Sequence, residues 1–398
     1  MRILVDFTPI PLQRAGAGVY AENLVRRLPS FLGPDDVLFL LLQKDEVTLP
    51  PLFAGRKNVR LLFLPSRVFR NRLMSMLSEQ LILPWLLLFH KIDVVHTLHY
   101  MVPLWAPARR VVTFHDLTHL LRPEMHTRAR RLLMPVFVRS GWRFADVILF
   151  VSASTRRDAE RILPRGRNGL NTVAPLGVGA EAFNRPADED LRNGLRSLEI
   201  KQPYLLFIGT IEPRKNLLRI IHGFENIASQ FPQHVLILAG GLGWGFEPVL
   251  AAIAGSPVRD RIRHLGYISE ESKRVLLAGG DLLVYPSLYE GFGLPVLEAM
   301  AAGIPVVTSN ISSLPEVVGS AAPMVDPESE EQLTAAMALL LSDRDLAKKY
   351  SSLGQQRARM FSWENTAAET YKAYRAAYSA EGGPPTQQRE NQDVSRSK

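Results

Sequence analysis

The stretch YEGFGLPVLEAMAAGIPVV, residues 289–307, decides how the rest of the chain is read. It follows an apolar run of strand type, DLLVYPS (281–287), and leads into another, IPVVTS (304–309). A helix between two buried strands makes a βαβ unit. Pro295 suits the first position of that helix, where its missing N–H costs nothing, and Gly303 suits the stop. Glu290 then lies on the loop above the first strand and Glu298 in the first helical turn, on the side where open parallel sheets bind ligands. The N–H groups of residues 291–294, added to the positive helix end, suit a phosphate or diphosphate. Carboxylates beside an anion need another partner, and sugar hydroxyls are groups a carboxylate accepts in fixed geometry. Taken singly, Glu298 also reads as a favourable first-turn acid and Glu290 as a solvated loop residue.

Working outward, 398 residues suffice for two domains that each bury a core, and 46% hydrophobic with 22% charged residues reads as globular. The absence of cysteine excludes disulfides, thiolate metal sites and a Cys nucleophile. The segment MRILVDFTPI reads as a strand rather than a secretory signal. LILPWLLLF (81–89) carries a proline, falls short of the roughly 20 residues that span a bilayer, and is expected as a buried helix. Residues 1–185 hold 26 Lys and Arg against 14 Asp and Glu, a net +12, while the remainder holds 21 against 25, a net −4. The basic excess, in RVFRNR (67–72) and RARR (128–131), is mixed with Leu, Met, Phe and Trp. Such a surface suits anionic lipid headgroups or nucleic acid, against the plainer reading of a solvated basic face.

Strand-like runs alternate with helix-like segments twice over. RILVDF, VLFLLL, VRLLFLP, DVVHTL, RVVTFHD and DVILFVS precede a turn-rich boundary at 171–186, and YLLFIGT, HVLILAGG, IRHLGY, DLLVYPS and IPVVTS follow it. Two doubly wound parallel-sheet domains of α/β class are expected, over 1–178 and 179–362. A helix at about 363–380 is expected to pack back onto the first domain, ahead of a disordered tail over 381–398.

On these residues the chain resembles the retaining glycosyltransferases of family 4, which have the GT-B fold. The resemblance runs through GTIEPRKNL, LILAGG, RHLGYIS, VYPSLYEGFGLPVLEAMAAGIPVVTSNISSLPEVVG and MVDP in the second half, and AGAGVYAENLVRRL, TFHDL and FVSAST in the first. Two glutamates with seven residues between them are the signature of that family. GTIEPRKN with GAGVYAENL is most similar to bacterial mannosyltransferases of polysaccharide assembly.

The resemblance implies that Glu290 contacts the donor sugar, Glu298 the ribose, and Lys215 the diphosphate, with Phe292, Gly293 and Leu294 presenting backbone donors. Gly16 and Gly18 would let the first loop approach the diphosphate, His115 would face the donor sugar, and Gly266 and Tyr267 would lie along the base. Thr210 stands where the family commonly has an arginine, and Arg214 is the candidate replacement. The implied partners are a nucleoside-diphosphate sugar, GDP-mannose before UDP-sugars, a glycan or polyprenyl-linked glycan acceptor, and an anionic membrane surface, with no nucleic acid. No metal or other cofactor is expected, and the implied place is the cytoplasm, peripheral at the inner face of the cell membrane.

Rival readings are weaker. HDLTH (115–119) spaces two histidines as zinc hydrolases do, but at a strand end rather than inside a helix. The acidic pairs Asp188/Asp190 and Asp343/Asp345 lie in polar segments and read as surface charge. GAGVYA matches only the first two glycines of a dinucleotide fingerprint. A UDP-sugar-dependent hexosyltransferase, a nucleotide-sugar epimerase and a non-catalytic module of the same fold remain as alternatives.

Overall fold

A computed structural model describes residues 1–12, 14, 16–66, 72–164, 169–201 and 203–379. The basic segment 67–71 and the tail 381–398, expected as disordered, lie outside the described residues.

Apolar runs become strands in two sheets. The first holds β1 (Arg2–Asp6), β2 (Val37–Gln43), β3 (Val59–Leu64), β4 (Val94–Thr97), β5 (Arg109–Phe114), β6 (Val147–Phe150) and β7 (Leu170–Val173). Their order is β3-β2-β1-β4-β5-β6-β7, every pair parallel. The second holds β8 (Tyr204–Ile208), β9 (Val235–Ala239), β10 (Ile262–Gly266), β11 (Leu282–Tyr285), β12 (Val306–Ser309) and β13 (Met324–Val325). Its order is β10-β9-β8-β11-β12-β13, again parallel throughout. Winding reverses between β1 and β4 in one sheet and between β8 and β11 in the other, which are the points where such sheets open a crevice beyond their carboxyl ends. Two strands fall outside the apolar runs. LNTV of β7 is half polar and lies at the edge of the first sheet, and β13 is two residues long.

Helices cover both faces of the sheets, as parallel strands require. In the first domain Leu4, Phe39, Leu41 and Val95 meet the helix Arg72–Phe89 through Leu83 and Leu87. The buried helix expected at 81–89 is a helix buried along one side only: Leu83 and Leu87 are buried, whereas Leu81, Trp85, Leu88 and Phe89 are exposed, Phe89 by 81%. An outer-layer helix touches its sheet along one stripe, and here the i, i+4 pair Leu83 and Leu87 supplies it. Trp85 instead packs edge-on against Trp105, with centroids 6.2 Å apart. On the same sheet face, the helix Arg128–Phe144 packs Val138 and Trp142 over β5 and β6 and leaves Leu132, Leu133 and Val136 exposed. Among the described residues no helix is long and apolar enough to cross a membrane.

The chain passes between the domains twice at one place. Gly177 abuts Ser362, so closely that a Cβ would stand 2.1 Å from the Ser362 carbonyl carbon, and Val178 bridges to Ser362. The final helix, Trp363–Ser379, then returns to the first domain, where Tyr374 joins a buried network. Its hydroxyl lies 2.6 Å from His96 Nδ1, His96 Nε2 lies 2.8 Å from Thr113 Oγ1, and Tyr20 shares that hydroxyl at 2.9 Å.

Candidate active site in the interdomain cleft

Loops from the carboxyl ends of both switch points line a cleft of about 430 Å³. On the second-domain side, the turn after β8 carries Arg214 and Lys215. Asn216, held in the left-handed region at φ 61°, ties that turn to the carbonyls of Pro286 and Pro327, at 3.0 and 2.7 Å. Leu288 N–H donates to the Arg214 carbonyl at 2.8 Å, so the loop after β11 is laced to the same turn. Glu290 comes to lie between the two cations: Lys215 Nζ donates to one carboxylate oxygen at 2.5 Å and Arg214 Nη1 to the other at 2.9 Å. Lys215 also donates to the Tyr285 hydroxyl at 2.7 Å, and Arg214 Nε pairs with Glu212 at 2.5 Å.

The electrostatics follow from burial and these contacts. Burial alone would raise the Glu290 carboxyl, but Arg214 and then Lys215 bring it down to about 2, so it is ionised at any working pH. Burial, then the neighbouring guanidinium of Arg214, lower the Lys215 ammonium. Arg214 and Lys215 thus stand on this wall as two cations already desolvated and fixed in place.

The helix after Glu290 begins at Leu294, one residue before the position expected from Pro295. Gly293 caps it at φ 104°, and Gly303 stops it in the left-handed region at φ 81°. Glu298 therefore sits in its second turn, not its first. Glu298 is not free: Lys273 Nζ donates to it at 2.8 Å and pairs with Glu270 at 2.7 Å. Burial raises the Glu298 carboxyl, against the pull of Lys273. Val19, Glu270, Lys273 and Glu298 are shared between the cleft and an adjoining cavity of about 120 Å³ at the domain crossing.

From the first domain come His115 and Asp116 after β5, His99 and Tyr100 after β4, and Arg14 and Gly16 from the loop before the helix Ala17–Arg27. His115 donates from Nε2 to the Leu98 carbonyl at 2.9 Å, which leaves Nδ1 without a proton in the neutral ring, the form that burial favours. His99 Nε2 lies 3.2 Å from Glu79, and buried Asp6 ends β1 nearby.

The structure brings most of the sequence-derived candidates to this one cleft: His115, Glu290, Lys215, Arg214, Gly16, Phe292, Gly293, Leu294 and Glu298 line it, and Thr210 does too. Arg214 faces the cleft rather than solvent. Three candidates lie elsewhere. Gly18 packs toward Arg14 and Ile10, and Gly266 and Tyr267 are absent from the cleft wall, Tyr267 being 64% exposed. Lys273 and Arg14 escaped the sequence reading, since nothing in local spacing pairs Lys273 with an acid 25 residues on, and Asp116 entered it only within the rival HDLTH pattern. Among the described residues no group of three or more His, Cys, Asp or Glu side chains is gathered as metal ligands. His119 stacks on His126, with ring centroids 3.9 Å apart, and Asp343 caps the helix Arg344–Ala358 by accepting from the N–H groups of Asp345 and Leu346 at 3.1 and 2.9 Å.

The family model for glycosyl transferases group 1 matches residues 195–357, and the model for glycosyltransferase family 4 matches residues 14–178. The O-antigen chain mannosyltransferase B of Escherichia coli is 31% identical over 94% of this chain and all of its own. The chain belongs to the family 4 glycosyltransferases. Its GT-B fold is shared with the sucrose-phosphate synthase of Thermosynechococcus elongatus, at a TM-score of 0.74 and 18% identity over 96% of this chain and all of the other. HepE of Anabaena, solved with UDP and glucose, aligns at 0.73 with 18% identity, covering 94% of this glycosyltransferase and all of HepE. In this glycosyltransferase Arg214 and Lys215 line one wall of the cleft and His115 the other.

Proposed function

We propose that this glycosyltransferase moves mannose from GDP-mannose, with retention at the anomeric carbon, to a glycan or polyprenyl-linked glycan acceptor at the inner face of the cell membrane. The observation that carries the reading is the seating of Glu290 between Lys215 and Arg214, in a chain whose full-length relative is named a mannosyltransferase of O-antigen chains. Negative charge gathers on the leaving diphosphate as the sugar becomes oxocarbenium-like. Lys215, Arg214 and the N–H groups at the start of the helix Leu294–Ala302 stabilise it. Glu290, locked ionised, holds sugar hydroxyls, and the leaving phosphate accepts the acceptor's proton on the same face. Charge on the diphosphate is met by side chains, so no divalent metal is required.

Purified protein given GDP-mannose, UDP-glucose and other nucleotide sugars should transfer or slowly hydrolyse GDP-mannose alone, give the retained anomer by NMR, and keep its rate after exhaustive chelation. Glu290→Gln and Lys215→Ala should each lower kcat at least a hundredfold, as loss of one well-placed electrostatic contact costs on the order of 3 kcal/mol. Near-parental rates in both would remove the site assignment, and a preference for a UDP-sugar would replace the donor.

The membrane part of the reading is supported by the outer face of the first domain. Exposed Leu81, Trp85, Leu88 and Phe89 lie on one helix, and Leu132, Leu133 and Val136 lie on a second helix of the same sheet face with exposed Arg128, Arg131 and Arg139. Apolar side chains amid arginines fit an anionic interface, where each basic group gains on the order of 1 kcal/mol. Sedimentation with vesicles should rise with anionic lipid, fall with salt, and weaken in Arg128→Glu/Arg131→Glu. Equal binding to neutral and anionic vesicles, or none, would return the acceptor to solution.

A further inference from the structure

Glu290 stands between two residues that are fastened to the other domain. Tyr289 donates its hydroxyl to Asp158 Oδ2 at 2.9 Å, and Thr155 donates its hydroxyl to the Gly291 carbonyl at 3.1 Å. Gly291 itself presses on the first domain, where an added Cβ would stand 1.7 Å from the His115 carbonyl oxygen. Asp158 and Thr155 share the helix Ala153–Ile162. The first N–H groups of that helix, from Ala153 and Ser154, are received by the Glu316 carboxylate at 2.9 and 3.1 Å. A carboxylate there takes two donors the helix cannot satisfy itself and faces the positive end of its dipole.

Glu316 reaches across from the second domain, on the short helix Leu314–Val318. The chain entering that helix grips Glu290 in turn. Ser312 Oγ accepts the Glu290 N–H at 3.0 Å, and Ser313 Oγ donates to the carbonyls of Glu290 and Phe292 at 3.0 and 2.8 Å. The contacts form a closed ring from Glu290 through Tyr289 to Asp158, along one helix to Glu316, and back through Ser313. Tyr289, Thr155, Asp158 and Glu316 do not line the cleft.

We propose that Tyr289, Thr155, Asp158 and Glu316 are positioning residues that seat the Glu290 loop against the first domain and so set its spacing from His115. Closure of the two domains and assembly of the sugar-holding groups are then one event. The inference rests on the reading of Glu290 as the group that holds the donor sugar. Burial, then Asp158, push the Tyr289 phenol far up, so it remains a donor throughout the working range.

The test compares Tyr289→Phe, Asp158→Ala, Asp158→Asn and the double variant Tyr289→Phe/Asp158→Ala. Because the chain has no cysteine, Val47→Cys and Asp260→Cys, at positions 73% and 96% exposed in different domains, accept a pair of distance labels cleanly. Tyr289→Phe and Asp158→Ala should each lower kcat about tenfold, the loss of one hydrogen bond to a charged group. Donor KM and GDP affinity should stay within about twofold, and the label distance with GDP bound should lengthen or broaden. Asp158→Asn keeps an acceptor oxygen and should stay within about threefold of the parent, and the double variant should be no slower than the slower single. Parental kcat in Tyr289→Phe, or losses that multiply in the double, would overturn the proposal. If the parent transfers no sugar from any donor, the proposed function fails, and the labels still decide the clamp: distances unchanged across the variants refute it.

Discussion

Asp6 ends β1 with 1% of its surface exposed, accepting from the Thr8 N–H at 3.0 Å and the Thr8 hydroxyl at 2.6 Å. Burial, and next the charge of Glu79, push its carboxyl up from 3.8 to about 6. An acid whose pKa is higher folded than unfolded makes its ionised form a burden on the fold, absent below the unfolded value and complete above the folded one. Asp6→Asn, which keeps the acceptor oxygen for Thr8, should therefore stabilise the protein at pH 8 by up to about 3 kcal/mol in urea unfolding, and by much less at pH 4.5. An equal gain at both pH values would show that Asp6 is ordinary. Glu290 has the opposite sign: held at about 2, it contributes stability above 4.5 that is lost as pH falls toward 2. Glu290 was legible from its place on the loop after an apolar strand, whereas Lys215 and Arg214 came only through the resemblance to a family. Asp6 as a strained acid and Lys273 as the partner of Glu298 were not legible, since each depends on what packs next to it from a distant segment.

The helix Arg72–Phe89 shows the same limit for an element. Its apolar run has no polar face, so periodicity cannot say which stripe meets the sheet, and length and composition favour burial. The sheet makes the choice, through Leu83 and Leu87. Leu87→Ala should cost about 2–5 kcal/mol in unfolding free energy, whereas Leu81→Gln and Trp85→Gln together should change it by less than about 1 kcal/mol. A large loss from the exposed pair would mean that this face is covered in the folded protein. The strands of both sheets needed no such arbitration, because buried parallel strands are apolar on both sides. The edge strands depart from that rule: β3 and β10 are only partly buried, β7 is half polar and β13 is two residues long.

At the scale of the molecule, the sequence offers the two sheets and the crossings near 178 and 362, but not that the two crossings touch each other. Close approach at Gly177 and Ser362 depends on two segments far apart in the chain. Gly177→Ala should push these crossings apart and lower the thermal midpoint of the first domain, while affinity for GDP, the nucleotide of the proposed donor, stays within about twofold. Loss of both together would mean that the domains do not melt separately.

The return of the helix Trp363–Ser379 to the first domain inverts the order in which the halves are finished. On the ribosome, β1 to β7 emerge first, yet Tyr374, which completes the network of His96, Thr113 and Tyr20, is among the last described residues to be made. The second domain has every strand by Val325 and its helices by Ala358, so it can close on its own while the first still waits. At about 5–20 residues per second, the roughly 200 residues between β7 and the final helix leave the older sheet partly uncovered for about ten seconds or more. The half that begins translation first is the half most exposed to misassembly during it.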